Sequence, residues 1–424
     1  MNLLNINYVK YRLKNGLEVI LYQNTSIPFV SVNLWYKVGS ANEVRGKTGL
    51  AHLFEHMMFQ GSQNVAKEMH FKYIQEAGGN LNASTSFDRT NYFEKLPAND
   101  LELALWLESD RMGFFLEALD QVKLDNQKSV VLNERLERYD NQPYGLAWEK
   151  LILNIYADGH PYSWPTIGSS EDIRGYTMED VRNFFLKYYS PSNASLVIAG
   201  NFDIQQTKNL IEKYFADIKS NSQPGIIRES SSQNNENKFI VYEDKVNLER
   251  IYIAWNSVPA FGEDDAKLDI LSDILTGSKN ARLTRKLIYE MEIAQDINSM
   301  QFSGKYGGHF LIYSTAKPSK SLDEIKKLIF DEIDLIVNGT IIEQELQRSK
   351  NVIKSNFIYS LQNIDTVADL LNLYNFYIGE PNSFNFDLNR FINIEIHDVT
   401  NAAKKFLKNN FVDLRVIPEN KNAN

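Results

Sequence analysis

The pentapeptide His52-Leu53-Phe54-Glu55-His56 constrains what this chain can become more than any other feature. Two His four positions apart on a helix lie about 40° apart around its axis, close enough to grip one cation from the same face. Glu55 stands on the neighbouring turn, near such a cation and free to handle a proton. The flanks favour a helix. Thr48 is placed to cap it, Ala51, Leu53, Phe54, Met57 and Met58 supply an apolar side, and Gly61 can end it. Two surface imidazoles on an amphipathic helix are the plain alternative, but a chain with only six His rarely places two of them so close around a Glu.

The order H-x-x-E-H is the inverted form of a zinc-peptidase signature. A catalytic zinc takes three protein ligands and keeps a fourth position for water. The best third candidate is Glu134, within Val130-Val131-Leu132-Asn133-Glu134-Arg135-Leu136-Glu137-Arg138. From about Leu119 to Tyr139 the spacing is helical, without Gly or Pro, and Pro143 and Gly145 follow. Glu137 lies one turn further on and competes for the role. On spacing alone, both could be carboxylates on a solvated helix surface.

Three segments carry a wider resemblance: Gly49-Leu50-Ala51-His52-Leu53-Phe54-Glu55-His56-Met57-Met58-Phe59-Gln60-Gly61-Ser62, Gly78-Gly79-Asn80-Leu81-Asn82-Ala83-Ser84-Thr85, and Val130-Val131-Leu132-Asn133-Glu134-Arg135. With His160-Pro161-Tyr162, Ile167-Gly168, and the run from Tyr189-Ser190-Pro191 to Gly200-Asn201-Phe202-Asp203, they resemble the pitrilysin-like M16 metallopeptidases. The likeness is to the bacterial members related to the mitochondrial processing peptidase, the M16B subfamily, and runs through most of the sequence. It implies Zn²⁺ on His52, His56 and Glu134, so that Glu134 is favoured over Glu137, with Glu55 as general base. It also implies that extended peptides bind by main-chain hydrogen bonds along the strand holding Asn82, Ala83, Ser84 and Thr85. The chain departs from the pattern at Gln127, where many relatives carry a second Glu two turns before the ligand.

Length bounds the architecture: 424 residues exceed one ordinary core and predict two domains of about 200 residues. The polar, Ser/Asn-rich stretch from Asn221 to Asn237 predicts a linker between a metal-bearing domain over 1–220 and a second domain over 238–424. Each side shows the same order. A strand-like run (Phe29 to Tyr36; Ile251 to Trp255) leads to a helix ending near Gly (Gly49 to Phe59; Asp264 to Leu275), and later to a closing strand (Ser195 to Ala199; Val412 to Ile417). The expectation is an α+β fold of two duplicated domains, each an antiparallel sheet covered by helices. By resemblance this is the LuxS/MPP-like metallohydrolase type. The second half has no counterpart of His52 and His56, and its isolated His309 and His397 read as structural.

Absence of Cys excludes thiolate ligands and disulfides, and a net charge of −9 argues against a nucleic-acid surface while mildly favouring cationic peptides. No 18-residue apolar run is present to span a membrane. The first residues lack a basic and then apolar leader pattern, so the expectation is a cytoplasmic protein, or a periplasmic one if the sequence is a trimmed mature form. His160 reads as a loop-fixing residue, and Trp148, Tyr156, Tyr162 and Trp164 as core and interdomain packing.

Active members of the family commonly present an Arg and a following Tyr from the second domain to clasp the substrate carbonyl. In the matching run here, Arg282 to Asp296, those positions hold Ile288 and Gln295. The resemblance therefore implies a zinc endopeptidase for extended peptides or unfolded polypeptides, paired with an M16 paralogue that supplies the Arg/Tyr pair. A self-sufficient homodimer recruiting Arg282 or Arg285 is the first rival, and a silent scaffold subunit the second.

Overall fold

The computed structural model describes residues 6–221, 225 and 236–419. Two compact units emerge from it. One comprises Met1–Arg135, Trp164–Arg228 and Ile358–Asn385, the other Leu136–Ser163, Glu229–Phe357 and Phe386–Asn424. Each unit takes in one segment from the other half of the chain, Ile358–Asn385 in the first and Leu136–Ser163 in the second, while the predicted linker over 221–237 lies almost wholly outside the described residues.

The sheet of the first unit contains β1 (Val9–Arg12), β2 (Glu18–Gln23), β3 (Phe29–Tyr36), β4 (Asn80–Thr85), β5 (Thr90–Pro97) and β6 (Ala194–Gly200), in the order β1-β2-β6-β3-β5-β4. The second unit's sheet contains β7 (Lys238–Asp244), β8 (Arg250–Ser257), β9 (Ala294–Gly304), β10 (Gly307–Ala316) and β11 (Phe411–Pro418), in the order β7-β11-β8-β10-β9. Without β1 the two orders are the same, which makes the internal repeat visible in space. Neither sheet is purely antiparallel, because β2 pairs with β6 and β7 with β11 in parallel. The reason is geometric. With β1 set aside, the first two strands of each half run opposite ways, and the last strand inserts between them, so it must run parallel to one of the two.

Strand β3 shows why the exchanged segment joins the first unit. Its Tyr36 packs on Tyr189 in the layer beneath the pentapeptide, while the alternate residues Ser31, Asn33 and Trp35 point the other way and are also buried. Buried polar groups need partners. Helix Ile364–Tyr377 lies against β3 and β6 and supplies them to Asn33 and Trp35. Asp369 accepts from the Trp35 indole at 3.0 Å and the Asn33 amide at 3.2 Å, and Asn372 donates to the Asn33 carbonyl at 3.0 Å. In the second unit, helix Ala147–Ile155 lies likewise against β8 and β11, and the Asn256 amide donates to the Ile155 carbonyl. Tyr156, Tyr162 and Trp164, expected as packing, are all buried. No described helix is long and apolar enough to cross a membrane.

His309 is a core residue, as its isolation in the sequence implied. Its Nδ1 lies 2.8 Å from the Tyr156 hydroxyl, Phe302 stacks on the ring at 4.9 Å, and burial depresses its pKa to about 3. The folded state therefore keeps His309 neutral while the unfolded chain takes up a proton below about pH 6.5, so stability is full above that pH and falls as pH drops toward 3. Between pH 7 and 5 the loss is about 2 kcal/mol for this group. Urea unfolding of His309→Phe at the two pH values should show that much less acid sensitivity than the parent; equal sensitivity would contradict the assignment.

Candidate metal centre

The pentapeptide lies on helix Leu50–Met57. Leu50, Ala51, Leu53, Phe54 and Met57 form its buried stripe, which leaves His52, Glu55 and His56 together on the other side. Phe54 anchors the stripe, with rings of Tyr189, Phe115 and Phe184 at 4.6, 5.4 and 5.6 Å. The cap differs from expectation. Gly49, left-handed at φ 86°, occupies the N-cap and offers no side chain, while the amide and hydroxyl of Thr48 both donate to Asp172, at 2.9 and 2.6 Å. The free amides at the helix start need another acceptor. Glu43 provides it, accepting from Gly49 at 2.9 Å and Ala51 at 2.7 Å. Burial pushes the Glu43 carboxyl up to about 8, against the downward pull of those two amide bonds.

A second loop presses on the same helix end. Gly168, at φ 78°, approaches so closely that a Cβ there would meet the Thr48 carbonyl oxygen at 2.3 Å and Gly49 Cα at 2.4 Å. Gly168 also accepts at 2.6 Å from the guanidinium of Arg135, the last residue of helix Gln121–Arg135. Glu134 is the residue before it. One loop thereby indexes both ligand-bearing helices.

The donors converge. The Glu134 carboxylate lies 3.2 Å from His56 Nε2 and 3.6 Å from His52 Nε2, and the imidazole rings stand 4.9 Å apart, nearly perpendicular. Ligand atoms at bond lengths of about 2.0–2.1 Å around a tetrahedral zinc sit roughly 3.3–3.4 Å from one another, so two imidazole nitrogens and one carboxylate at these spacings fit that ion. His52, His56 and Glu134 form the one group of three or more potential ligands clustered this way among the described residues. Glu137 does not join them. After Arg135 the backbone widens into a π-helical turn, Leu136–Asp140, and Glu137 is exposed on it. Gln127 is buried two turns before Glu134 on the same helix.

Glu55 is tied by one oxygen: the Thr85 hydroxyl donates to its Oε2 at 2.6 Å. Burial raises the Glu55 carboxyl above its usual range, with Glu134 adding to the rise and the Thr85 bond and His56 opposing it. Thr85 ends β4, which is the edge strand of its sheet. The four strand residues singled out in the sequence divide by environment. Asn82 is exposed and accepts from the Ala83 amide at 2.8 Å, and the hairpin register, with Ser86 donating to the Arg89 carbonyl, places that amide on the open-edge side of β4. Ser84 is engaged inward, donating to Asn91 at 2.7 Å, and its carbonyl accepts from Arg89 at 2.8 Å.

His160 fixes a loop, as expected: it stacks on Tyr156 at 4.5 Å, and its Nδ1 accepts from the Tyr162 amide. His397 is exposed beside Glu395 and Asp398. In the second unit Ile288 packs against the apolar core and Gln295 is exposed at the start of β9. Arg282 is held by Glu345 at 2.7 Å and Glu332 at 3.0 Å, whereas Arg285 is largely exposed beside Glu290. The sequence alone disclosed neither Glu43 nor the Thr85–Glu55 bond. A Gly at a helix start without a capping side chain was the available sign of the first; the second has no local signal.

Comparison with known proteins identifies the family. Residues 18–169 match the profile of insulinase, peptidase family M16, and residues 175–353 that of the peptidase M16 inactive domain. The chain is 30% identical to the zinc protease PqqE of Helicobacter pylori, over 93% of this chain and 89% of that protein. A crystal structure of a protease from the same organism superposes with a TM-score of 0.91 at 28% identity, covering 98% of this chain and 100% of that one. A chain from Arabidopsis thaliana carrying the name of mitochondrial-processing peptidase subunit beta is 24% identical, over 84% of this chain and 68% of its own length.

Two substitutions test the geometry. Glu134→Gln should weaken zinc binding in a chelator-competition titration by more than the ~10–100-fold typical of a supporting residue, while Glu137→Gln leaves it unchanged. Gly168→Ala forces a Cβ into Thr48 and Gly49, and should lower the thermal midpoint and reduce zinc affinity together. A Gly168→Ala protein with normal affinity would show that the loop does not set the ligand geometry.

Proposed function

The chain belongs to the M16 peptidase family, and from that premise we propose that it is a zinc endopeptidase acting on extended peptides, the zinc-bearing member of a two-chain enzyme. The observation that carries this is the convergence of His52, His56 and Glu134, with Glu55 held beside them next to an open sheet edge. Zinc on the three ligands would supply a Lewis acid and lower the pKa of a coordinated water toward 7.

The chain's own residues do the rest. An extended peptide adds to the free edge of β4 through main-chain hydrogen bonds at Ala83, which holds the backbone straight and tolerates varied side chains. Glu55 takes one proton from the attacking water as its oxygen adds to the scissile carbonyl carbon. It returns that proton to the amide nitrogen as the C–N bond breaks; the second water proton, still on the added oxygen, then passes to the released amine, so a carboxylate and an ammonium leave and the enzyme is unchanged. The relatives' names, zinc protease and processing-peptidase subunit, support both the chemistry and the subunit arrangement.

Pairing is inferred from the second unit. Ile288 and Gln295 cannot donate a charge-assisted hydrogen bond to a developing oxyanion, and Arg282 is already held by two carboxylates. The homodimer alternative rests on Arg285, which is exposed. A silent scaffold is disfavoured because three ligands and a base stand together.

Glu55→Gln should retain zinc and fold but lose kcat by ~10²–10⁴, since an amide cannot accept the proton; near-normal cleavage of an unstructured peptide by this variant would sink the mechanism. The isolated chain should cleave slowly at full zinc occupancy and gain ~10²–10³ in rate on mixing with a homologous chain that lacks H-x-x-E-H but carries the Arg/Tyr pair. Full activity from the isolated chain, unaltered by such a partner, would favour the homodimer instead.

A further inference from the structure

We infer that Thr85 is a positioning residue for Glu55: its hydroxyl fixes one carboxylate oxygen so that the other faces the reacting water. The inference rests on Glu55 being the general base.

Hydrogen accounting assigns the donor. A Thr hydroxyl has one hydrogen. Two oxygens lie in reach of Thr85 Oγ1: Glu55 Oε2 at 2.6 Å, which can only accept, and Thr90 Oγ1 at 3.4 Å, which stands on the donating side of that longer contact. The Thr90 hydroxyl donates to the Val38 carbonyl at 2.9 Å, so it is anchored elsewhere and the shorter contact takes the Thr85 hydrogen. The donor is rigid from three sides. Thr85 is β-branched, which restricts its χ1. It pairs with Thr90 in the last rung of the β4–β5 hairpin, and Arg89 ties the carbonyl of the preceding Ser84 at 2.8 Å.

Glu55 itself has three torsions and projects from a helix, so nothing in its own backbone selects one orientation of the carboxylate. A strand-borne donor does. It occupies Oε2 and leaves Oε1 to accept the proton from water. The Thr85 proton never leaves its oxygen: it bonds the carboxylate before transfer and the carboxyl oxygen after it. Leu81, Ala83 and Thr85 share the helix-facing side of β4, so the residue that orients the base stands two positions from the open-edge amide of Ala83. A peptide added at that edge and the base that serves it are therefore referred to the same short strand.

The test uses the zinc-loaded full chain with whatever partner gives it activity. Thr85→Val removes the hydroxyl with little change of shape. It should lower kcat by ~10- to 100-fold, the scale expected when a catalytic group is misplaced by about 1 Å, with KM changed less than about twofold and zinc content unchanged. Thr85→Ser, which keeps the O–H, should recover most of kcat. Independent of activity, crystals of metal-free Thr85→Val should show the Glu55 carboxylate moved from its parent position, and those of Thr85→Ser should not. Thr85→Ala gives the same comparison if the Val variant folds poorly. A raised KM at unchanged kcat would overturn the proposal and make Thr85 a substrate contact; unchanged kcat with Glu55 in place would overturn it also. If Glu55→Gln is inactive while Thr85→Val is fully active, only the positioning role falls. If Glu55→Gln remains active, the general-base assignment falls regardless of Thr85.

Discussion

The site depends on how one short helix is held at its start. Eight residues, Leu50–Met57, are too few to persist as a helix in water, so their direction has to come from outside. Glu43 receives two amides of the first turn, Gly168 presses on Gly49 at a distance that excludes a side chain, and the aromatic layer under Phe54 fixes the roll about the axis. Because Arg135 grips the same Gly168 carbonyl, the helix bearing Glu134 is referred to the same point. Donor spacings of 3.2 and 3.6 Å follow from that shared reference, whereas two independently anchored helices would need each error to cancel.

The second unit repeats the strand order without the chemistry. Its counterpart of the metal helix, Asp265–Thr276, carries no His, and its apolar residues join a continuous core of Ile, Leu and Trp side chains. The position where the family's Arg is expected holds Ile288, packed against that core. The match to an inactive domain over 175–353 accords with this. The His-His-Glu cluster is confined to the first unit, and the matching helix of the second is committed to its core.

Much of the site was legible because its signals are local. H-x-x-E-H places both imidazoles by helical spacing alone, and β3, β6, β8 and β11 fall where β-branched and aromatic runs announced them. Glu134 and Glu137 were not separable by spacing; the π-helical turn after Arg135 separates them, and a change of helical pitch leaves no mark in a hydrophobic pattern. Thr48 illustrates the opposite failure. It has the chemistry of a cap at the right place, yet Asp172, far along the chain, claims its hydroxyl. The exchanged helices were invisible for the same reason. Asp369 and Asn372 read as polar helix residues until the buried Asn33 and Trp35 beneath them are seen to need partners.

The place of β6 has a consequence for the order of events during synthesis. It is the last strand of the first sheet to leave the ribosome, yet it lies between β2 and β3, so until Gly200 has emerged the sheet has a gap at its centre rather than an unfinished edge. Even then the face bearing Ser31, Asn33 and Trp35 waits for helix Ile364–Tyr377, near the end of the chain. The nascent first unit must therefore pass a long interval with half-satisfied polar groups and unpaired strands, in a fold dominated by contacts distant in sequence. Such a chain folds late and as a whole, and its vulnerable period is set by translation time as much as by the stability of the finished protein.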